Sequence, residues 1–257
     1  MKTILVLSDG LRPDAMEQSG HPVVERLKKH SYYTMNAQTV MPSVTLPCHM
    51  SLFFSVPPER HGILTNIYTP MVRPLPGLCD VFYQAKKPCS FFYNWGRLRD
   101  LTGPYSVQHS LFLSADFSTY EIRNYQLTDA CIEHVNEENP DFVFLYLGET
   151  DAAGHNYGWM SDEYGKAVNR ALDCLQKVMD SVSDDYCFVF TADHGGHNRI
   201  HGEDCLEDMT IPLFFYHKDF SPTPLENANI MDIAPTVAAM AGVEAAGEWE
   251  GKVLPIK

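Results

Sequence analysis

Hydrophobic and polar positions follow two rhythms along this chain, and together they predict strands separated by helices. Lys2 to Ser8 (KTILVLS), Cys89 to Tyr93, Asp141 to Leu147 (DFVFLYL), Tyr186 to Thr191 and Ile211 to His217 are short and almost wholly apolar. Continuous apolar runs of this length mark strands covered on both faces. Helical spacing fills the intervals. Pro22 to His30 places proline at a first helical position, and Cys79 to Ala85 reads as a short helix. Glu121 to Asn136 is helical, and Ser161 to Val182 is a long amphipathic helix with Ser161 as N-cap and Glu163 in its first turn. Met231 to Ala241 forms a closing helix that stops at Gly242. A further helix is expected to open near Leu46 or Pro47, after the turn-rich Met41-Pro-Ser-Val-Thr. The alternation gives an α/β class: a three-layer α/β/α sandwich with a mainly parallel central sheet.

Two stretches break the rhythm. Glu59 to Asn66 is read as a polar loop. Asn94 to Thr119 mixes polar, aromatic and apolar residues with weak periodicity, an irregular excursion over the sheet edge and a candidate small lid within 94–120. No linker, repeat or low-complexity segment is visible, so one domain over residues 1–257 is expected.

Charge narrows the choice of partner. The formal net charge is −14, from 19 Lys+Arg against 33 Asp+Glu. That excess disfavours a nucleic-acid polymer, whose affinity comes mainly from cations on phosphates. A small phosphate ester stays open, because bound divalent cations reverse the local sign of a cleft. No run approaches the ~18–20 apolar residues that cross a bilayer. Seven dispersed cysteines without a CxxC pair read as reduced thiols of a cytoplasmic protein.

Three of the expected strands end in carboxylates: Asp9, Asp151 and Asp193. Parallel strands share one C-terminal edge, where ligands of open α/β sheets bind, so these acids can converge. Asp151-Ala-Ala-Gly-His155 adds an imidazole one helical turn on, and Phe188 to Glu203 (FVFTADHGGHNRIHGE) adds His194, His197 and His201. The glycines after His194 let the backbone turn tightly where a bound group approaches. Two groups of oxygen and nitrogen ligands suit a pair of divalent ions about 3.5–4 Å apart that clamp a phosphoryl group. Three imidazoles favour zinc or another transition ion over magnesium or calcium. Read alone, the Asp193–His201 stretch is equally a histidine-rich surface loop, and Thr45 is more readily an N-cap.

Taken together, Asp9 after the first strand, Thr45-Leu-Pro-Cys-His, Asp151-x-x-x-His155, Asp193-His194-Gly and His201-Gly resemble the alkaline phosphatase superfamily. Within it the resemblance is to the nucleotide pyrophosphatase/phosphodiesterase branch. The motifs run in family order over most of the chain. The resemblance implies one metal on Asp151, His155 and His201, and another on Asp9, Asp193, His194 and the hydroxyl of Thr45. It makes Thr45 the nucleophile, forming a phosphothreonine, and Asn66 a holder of a non-bridging phosphoryl oxygen. Zinc, or manganese, is the expected pair. The implied activity is cleavage of a phosphodiester or pyrophosphate bond.

Rivals stand beside this reading. Ser43 competes with Thr45 as nucleophile, and His197 with His201 as ligand. His49 and His61 are read as structural or supporting groups, Glu149 as orienting its loop, and Arg12 and Asp14 as a structural pair. Only six residues separate the DHG strand from the last histidine, where many relatives carry a long insertion. Substrate selection would then fall to Ile67–Pro76 and Asn94–Thr119, with Tyr68, Tyr93, Trp95 and Tyr105 as stacking or core residues. A phosphonate, sulfate or monoester hydrolase or a phosphomutase of the same superfamily is the second enzyme reading. The non-enzyme reading is an inactive metal-binding relative.

Overall fold

In the computed structural model, which describes every residue except Pro104, the chain runs through these elements. First come β1 (Lys2–Ser8), α1 (Pro13–Gln18), α2 (Pro22–Lys29), β2 (Ser31–Gln38), α3 (Thr45–Phe54), α4 (Pro58–His61) and α5 (Leu78–Gln84). Then follow β3 (Cys89–Tyr93), a 3₁₀ turn (Gly96–Leu101), β4 (His109–Phe112), α6 (Tyr120–Glu138), β5 (Phe142–Leu147), α7 (Glu149–Tyr157) and α8 (Asp162–Ser181). The chain closes with β6 (Tyr186–Thr191), α9 (Leu206–Met209), β7 (Thr210–Tyr216), β8 (Thr223–Pro224), a second 3₁₀ turn (Ile230–Asp232) and α10 (Ile233–Met240).

Among the described residues, eight strands form one sheet in the order β4-β3-β5-β1-β6-β7-β2-β8. From β4 to β6 every pairing is parallel, and β7 is antiparallel to both β6 and β2. The mainly parallel α/β sandwich expected from the apolar runs is the architecture observed. Helices α6, α7 and α8 contact one another together with α1 and α2, and α3, α4, α5 and α10 make a separate group. Two helical layers bury the sheet between them, which is why all six residues of both β5 and β6 are buried.

β1 lies between β5 and β6, with Ser8 beside Leu147 and Leu7 beside Thr191. In this register the three acid-bearing turns, at Asp9, Asp151 and Asp193, leave one edge of the sheet at the same level. Ser161 caps α8 by accepting from the Tyr164 amide at 3.2 Å, as the sequence predicts.

Several elements differ from expectation. Ser31–Gln38 is an eight-residue strand, yet its SYYTMNAQ pattern shows only two buried positions and carries no run of apolar residues to betray it. Its order comes from backbone pairing to β7. The Glu59–Asn66 loop opens with α4, and its His61 and Ile63 are buried. Asn94–Thr119 is not wholly irregular, because it contributes the 3₁₀ turn and the edge strand β4. Among the described residues, no helix is long and apolar enough to cross a membrane.

Candidate metal centre

Helix α3 begins at Thr45 itself, and all ten of its residues are buried. Val44 supplies no side-chain cap, so the amides of the first turn are left to other partners. One is taken from outside: Asn66 Oδ1 accepts from the Leu46 amide at 3.0 Å. That bond fixes the Asn66 carboxamide at the helix start, and its amide nitrogen has no hydrogen bond among the described residues. Leu46 is engaged and Pro47 has no N–H, so the Thr45 amide at the positive end of the helix is left to favour an anion there.

Around Thr45 the structure gathers the acids and imidazoles. Thr45 Oγ1 lies 3.2 Å from His194 Nε2. The same nitrogen is 3.3 Å from Asp9 Oδ1 and 3.4 Å from Asp193 Oδ2. On the other side, Asp151 Oδ1 is 3.3 Å from His155 Nε2 and 3.6 Å from His201 Nε2. The His194 and His201 rings stack with centroids 3.8 Å apart, joining the two halves. Ligand atoms of Asp9, Asp193 and His194 lie close enough to share one cation, as do those of Asp151, His194 and His201.

Hydrogen bonds fix which imidazole nitrogen faces inward. His155 Nδ1 lies 2.9 Å from the Arg199 carbonyl, His194 Nδ1 2.7 Å from the Gly195 carbonyl and His201 Nδ1 2.8 Å from the Ser43 carbonyl. A carbonyl oxygen only accepts, so each Nδ1 carries a proton and each ring turns Nε2 toward the acids. Such outer carbonyl contacts are the usual support of a metal-binding histidine. Burial lowers the His194 and His201 rings, His201 to about 4, which keeps both neutral. His155 goes the other way: its hydrogen bond with Asp151 raises it to about 8. A proton therefore holds that pair together until a cation displaces it.

The carboxylates tell the same story. Burial raises Asp9 well above its ordinary value, and repulsion from Asp193 and Asp151 adds to it. Burial also raises Asp193, and would raise Asp151, but the His155 hydrogen bond and the neighbouring imidazoles bring Asp151 down. Asp9 Oδ1 and Asp193 Oδ2 are buried and lack a hydrogen-bond partner among the described residues, and the buried Asp151 Oδ1 has only the His155 and His201 nitrogens beside it. Unpartnered carboxylate oxygens in one pocket would each cost several kcal/mol without compensation. Buried oxygen and imidazole ligands facing one another fit divalent cations.

The rivals are placed elsewhere. Ser43 Oγ donates to the Glu203 carbonyl at 3.0 Å, so its hydroxyl is engaged away from the acids. His197 is held by Asp208, with Nδ1 2.8 Å from Oδ1, outside the cluster. Glu149 is paired with Arg170 and Arg12 with Asp14, while His61 hydrogen-bonds Ser51. One participant escapes the sequence reading. Tyr146, read only as part of a strand, donates its phenol hydrogen to Asp9 Oδ2. His49, one turn after Thr45, donates from Nδ1 to the Thr45 carbonyl at 2.8 Å and lies 3.4 Å from Asp193 Oδ2. His49 is thus placed as the supporting group the sequence suggests.

The two glycines after His194 serve the chain rather than a ligand. A Cβ on Gly195 would sit 1.9 Å from the Glu207 carbonyl oxygen, and one on Gly196 would sit 2.2 Å from the Trp159 ring. Of the four aromatics considered for substrate, Tyr93 is buried and stacks on Phe112, and Trp95 packs against the core. Tyr68 and Tyr105 line a cavity of about 670 Å³ with Asp80 and Asp100, and none of the clustered acids and histidines borders it.

Comparison with known proteins decides the family. Residues 84–245, more than half of the chain, match the model of the metalloenzyme superfamily. The chain belongs to that superfamily. In this metalloenzyme residues 3–95 also match the type I phosphodiesterase/nucleotide pyrophosphatase model. The expected kinship with the alkaline phosphatase superfamily, on its nucleotide pyrophosphatase/phosphodiesterase-like side, is thereby borne out. The metalloenzyme is 28% identical over 219 residues to human ectonucleotide pyrophosphatase/phosphodiesterase family member 1, covering 75% of this chain and 23% of that protein. It is 26% identical over 175 residues to a 2,3-bisphosphoglycerate-independent phosphoglycerate mutase of Bacteroides thetaiotaomicron, covering 64% of this chain and 34% of that enzyme. It thus spans only a minor part of these curated relatives. Among solved structures, human ectonucleotide pyrophosphatase/phosphodiesterase 5 superposes with a TM-score of 0.80 at 14% identity, covering 100% of both chains. A 2-O GAG sulfatase superposes with a TM-score of 0.77 at 13% identity, covering 98% of this chain and 73% of the other. At such identities the likeness speaks for the fold.

Proposed function

We propose that this metalloenzyme cleaves a phosphodiester or pyrophosphate bond of a small phosphate ester, with Thr45 as nucleophile. The observation that carries the reading is the position of Thr45 Oγ1, 3.2 Å from His194 Nε2 at the open start of α3. Asp9, Asp193, His194 and the Thr45 hydroxyl would hold one divalent ion, and Asp151, His155 and His201 the other. Zinc fits the three Nε2 donors best, and manganese is the second choice. When bound, such a pair supplies Lewis-acid stabilisation of phosphoryl charge and makes hydroxyls acidic near neutral pH.

The chain's own groups do the rest. Thr45 Oγ1 attacks phosphorus, the P–O bond to the leaving group breaks, and a phosphothreonine forms. Water then attacks that phosphorus, the P–O bond to Thr45 breaks, Thr45 Oγ1 takes a proton, and the phosphate monoester that kept the second substituent leaves. The Thr45 amide and the free amide of Asn66 donate to the non-bridging oxygens as charge builds there. His49 braces the Thr45 carbonyl from below, keeping the nucleophile's backbone in register. The seven free cysteines support a reducing, cytoplasmic setting.

A second reading is phosphoryl transfer to another hydroxyl, supported by the similarity to a phosphoglycerate mutase. Assay of the zinc- or manganese-loaded protein on matched phosphodiesters, monoesters and sulfate esters tests the proposal. Preferred turnover of the diester with release of product supports it. Turnover of the sulfate ester alone, or phosphoryl transfer without hydrolysis, overturns it.

A further inference from the structure

A second group of ligating side chains lies on the far side of the DHG turn. His197, Cys205 and Asp208 bring an imidazole nitrogen, a thiol sulfur and a carboxylate oxygen within reach of one ion. None of the three enters the chemistry proposed above. Cys205 precedes α9 and Asp208 lies in its single turn, three residues on, so thiol and carboxylate share one side of that turn. His197 comes from the loop after β6. Its Nδ1 is 2.8 Å from Asp208 Oδ1 and 3.7 Å from Cys205 Sγ.

Those separations suit a tetrahedral ion. With metal–sulfur and metal–nitrogen bonds of about 2.3 and 2.05 Å, sulfur and nitrogen ligands stand about 3.6 Å apart, and nitrogen and oxygen about 3.4 Å. The S···N distance is already met, and the N···O distance needs to open by only about half an ångström. The outer contacts are present too. Asp208 is fully buried, and its Oδ2 accepts from the Glu203 amide at 2.9 Å, which fixes the carboxylate. The other ring nitrogen of His197 faces the Glu203 carboxylate at 3.7 Å, a partner that would orient the ring once Nδ1 is engaged. Cys205 differs from the six other cysteines, all of which are buried, in being partly open to solvent.

We propose that His197, Cys205 and Asp208 form a further cation site for a zinc-class transition ion, with water in the fourth position. Binding releases the Cys205 thiol proton and the proton that His197 Nδ1 shares with Asp208. The bound ion ties the loop after β6 to the turn before β7, and His201 lies between these two anchors. This site therefore stiffens the segment that presents His201 without touching substrate.

Cobalt(II) is the probe, because a thiolate ligand gives it a strong near-ultraviolet charge-transfer band and the catalytic cluster contains no sulfur. The full chain should take up one more cobalt ion than its Cys205→Ser variant, and the thiolate band should vanish in that variant. Serine is a favoured residue at a helix start, so this variant retains the turn. An Asp193→Asn variant should keep the band, which separates this site from the catalytic reading: the band survives even if the catalytic pair does not exist. No thiolate band in the unaltered chain, a band that persists after Cys205→Ser, or equal cobalt uptake by both would overturn the proposal.

Discussion

The phenol of Tyr146, on the strand that leads to Asp151, donates its hydrogen to Asp9 Oδ2 at the end of the neighbouring strand. Both groups are buried, so the bond points Asp9 Oδ1 at His194 and leaves that oxygen without another partner. Outer contacts of this kind commonly govern affinity for a metal by 10–100-fold. Tyr146→Phe removes only the hydroxyl and keeps the ring among Phe144 and His49. Zinc affinity measured by competitive titration should fall about 10–100-fold, with thermal stability in the presence of excess zinc nearly unchanged. Unaltered affinity would separate this bond from metal binding.

Three acids in one buried pocket repel one another when no cation is present. Asp193 raises Asp9, after burial itself, so its charge works against the metal-free fold. Asp193→Asn keeps an oxygen for the Gly10 and His194 amides at 3.1 and 3.0 Å while removing that charge. In chelator, this variant should be more stable than the unaltered protein by on the order of 1–2 kcal/mol, the scale of one pKa unit. With saturating zinc the order should reverse. Urea unfolding in both conditions checks it.

The glycines of the DHG turn and a glycine of α8 give opposite expectations. Gly195→Ala forces a methyl onto the Glu207 carbonyl and breaks the packing of the turn against α9, costing about 3 kcal/mol or more. Gly165 lies inside α8 with nothing within 4 Å of an added Cβ. Gly165→Ala should stabilise by about 0.5–1 kcal/mol, because alanine loses less backbone freedom in a helix. Denaturant midpoints for the two variants decide both.

His61 makes a pH-dependent contribution away from the metal cluster. Its Nδ1 accepts from the Ile63 amide at 3.1 Å, so the neutral ring carries its proton on Nε2, toward Ser51. Burial holds the imidazole down to about 4, against about 6.5 in the unfolded chain. Below pH 6.5 the unfolded state takes up a proton that the fold refuses, so stability is lost as pH falls from about 6.5 toward 4. Between pH 7 and 5 this amounts to about 2 kcal/mol. His61→Asn, whose carbonyl can still accept from Ile63, should lose that slope in urea titrations at the two pH values.

Much of this molecule was legible in its sequence because the sheet is covered on both faces. Strands β1, β3, β5, β6 and β7 announce themselves as unbroken apolar runs, and the carboxylates at three of their ends stand out against that background. Ser31–Gln38 was invisible for the converse reason: only Ser31 and Ala37 are buried, so no hydrophobic pattern records its pairing with β7. The seven clustered side chains could be named because motif order reports topology. Tyr146 could not, because an apolar strand gives a hydroxyl no distinguishing period. The glycine pair after His194 was recognised as a tight approach, but what approaches, Trp159 and the Glu207 carbonyl, is set by tertiary packing.

The central claim is that Thr45 Oγ1 becomes covalently attached to phosphorus. Acid-quenching the zinc-loaded protein during turnover of a chromogenic phosphodiester, followed by peptide mass spectrometry, reads that bond directly. Expected are a phosphoryl group on Thr45 in the unaltered protein, still carrying the retained ester, and neither the adduct nor turnover in a metal-replete Thr45→Ala variant. Full turnover by Thr45→Ala, or a phosphoryl group found on Ser43 instead, would contradict it.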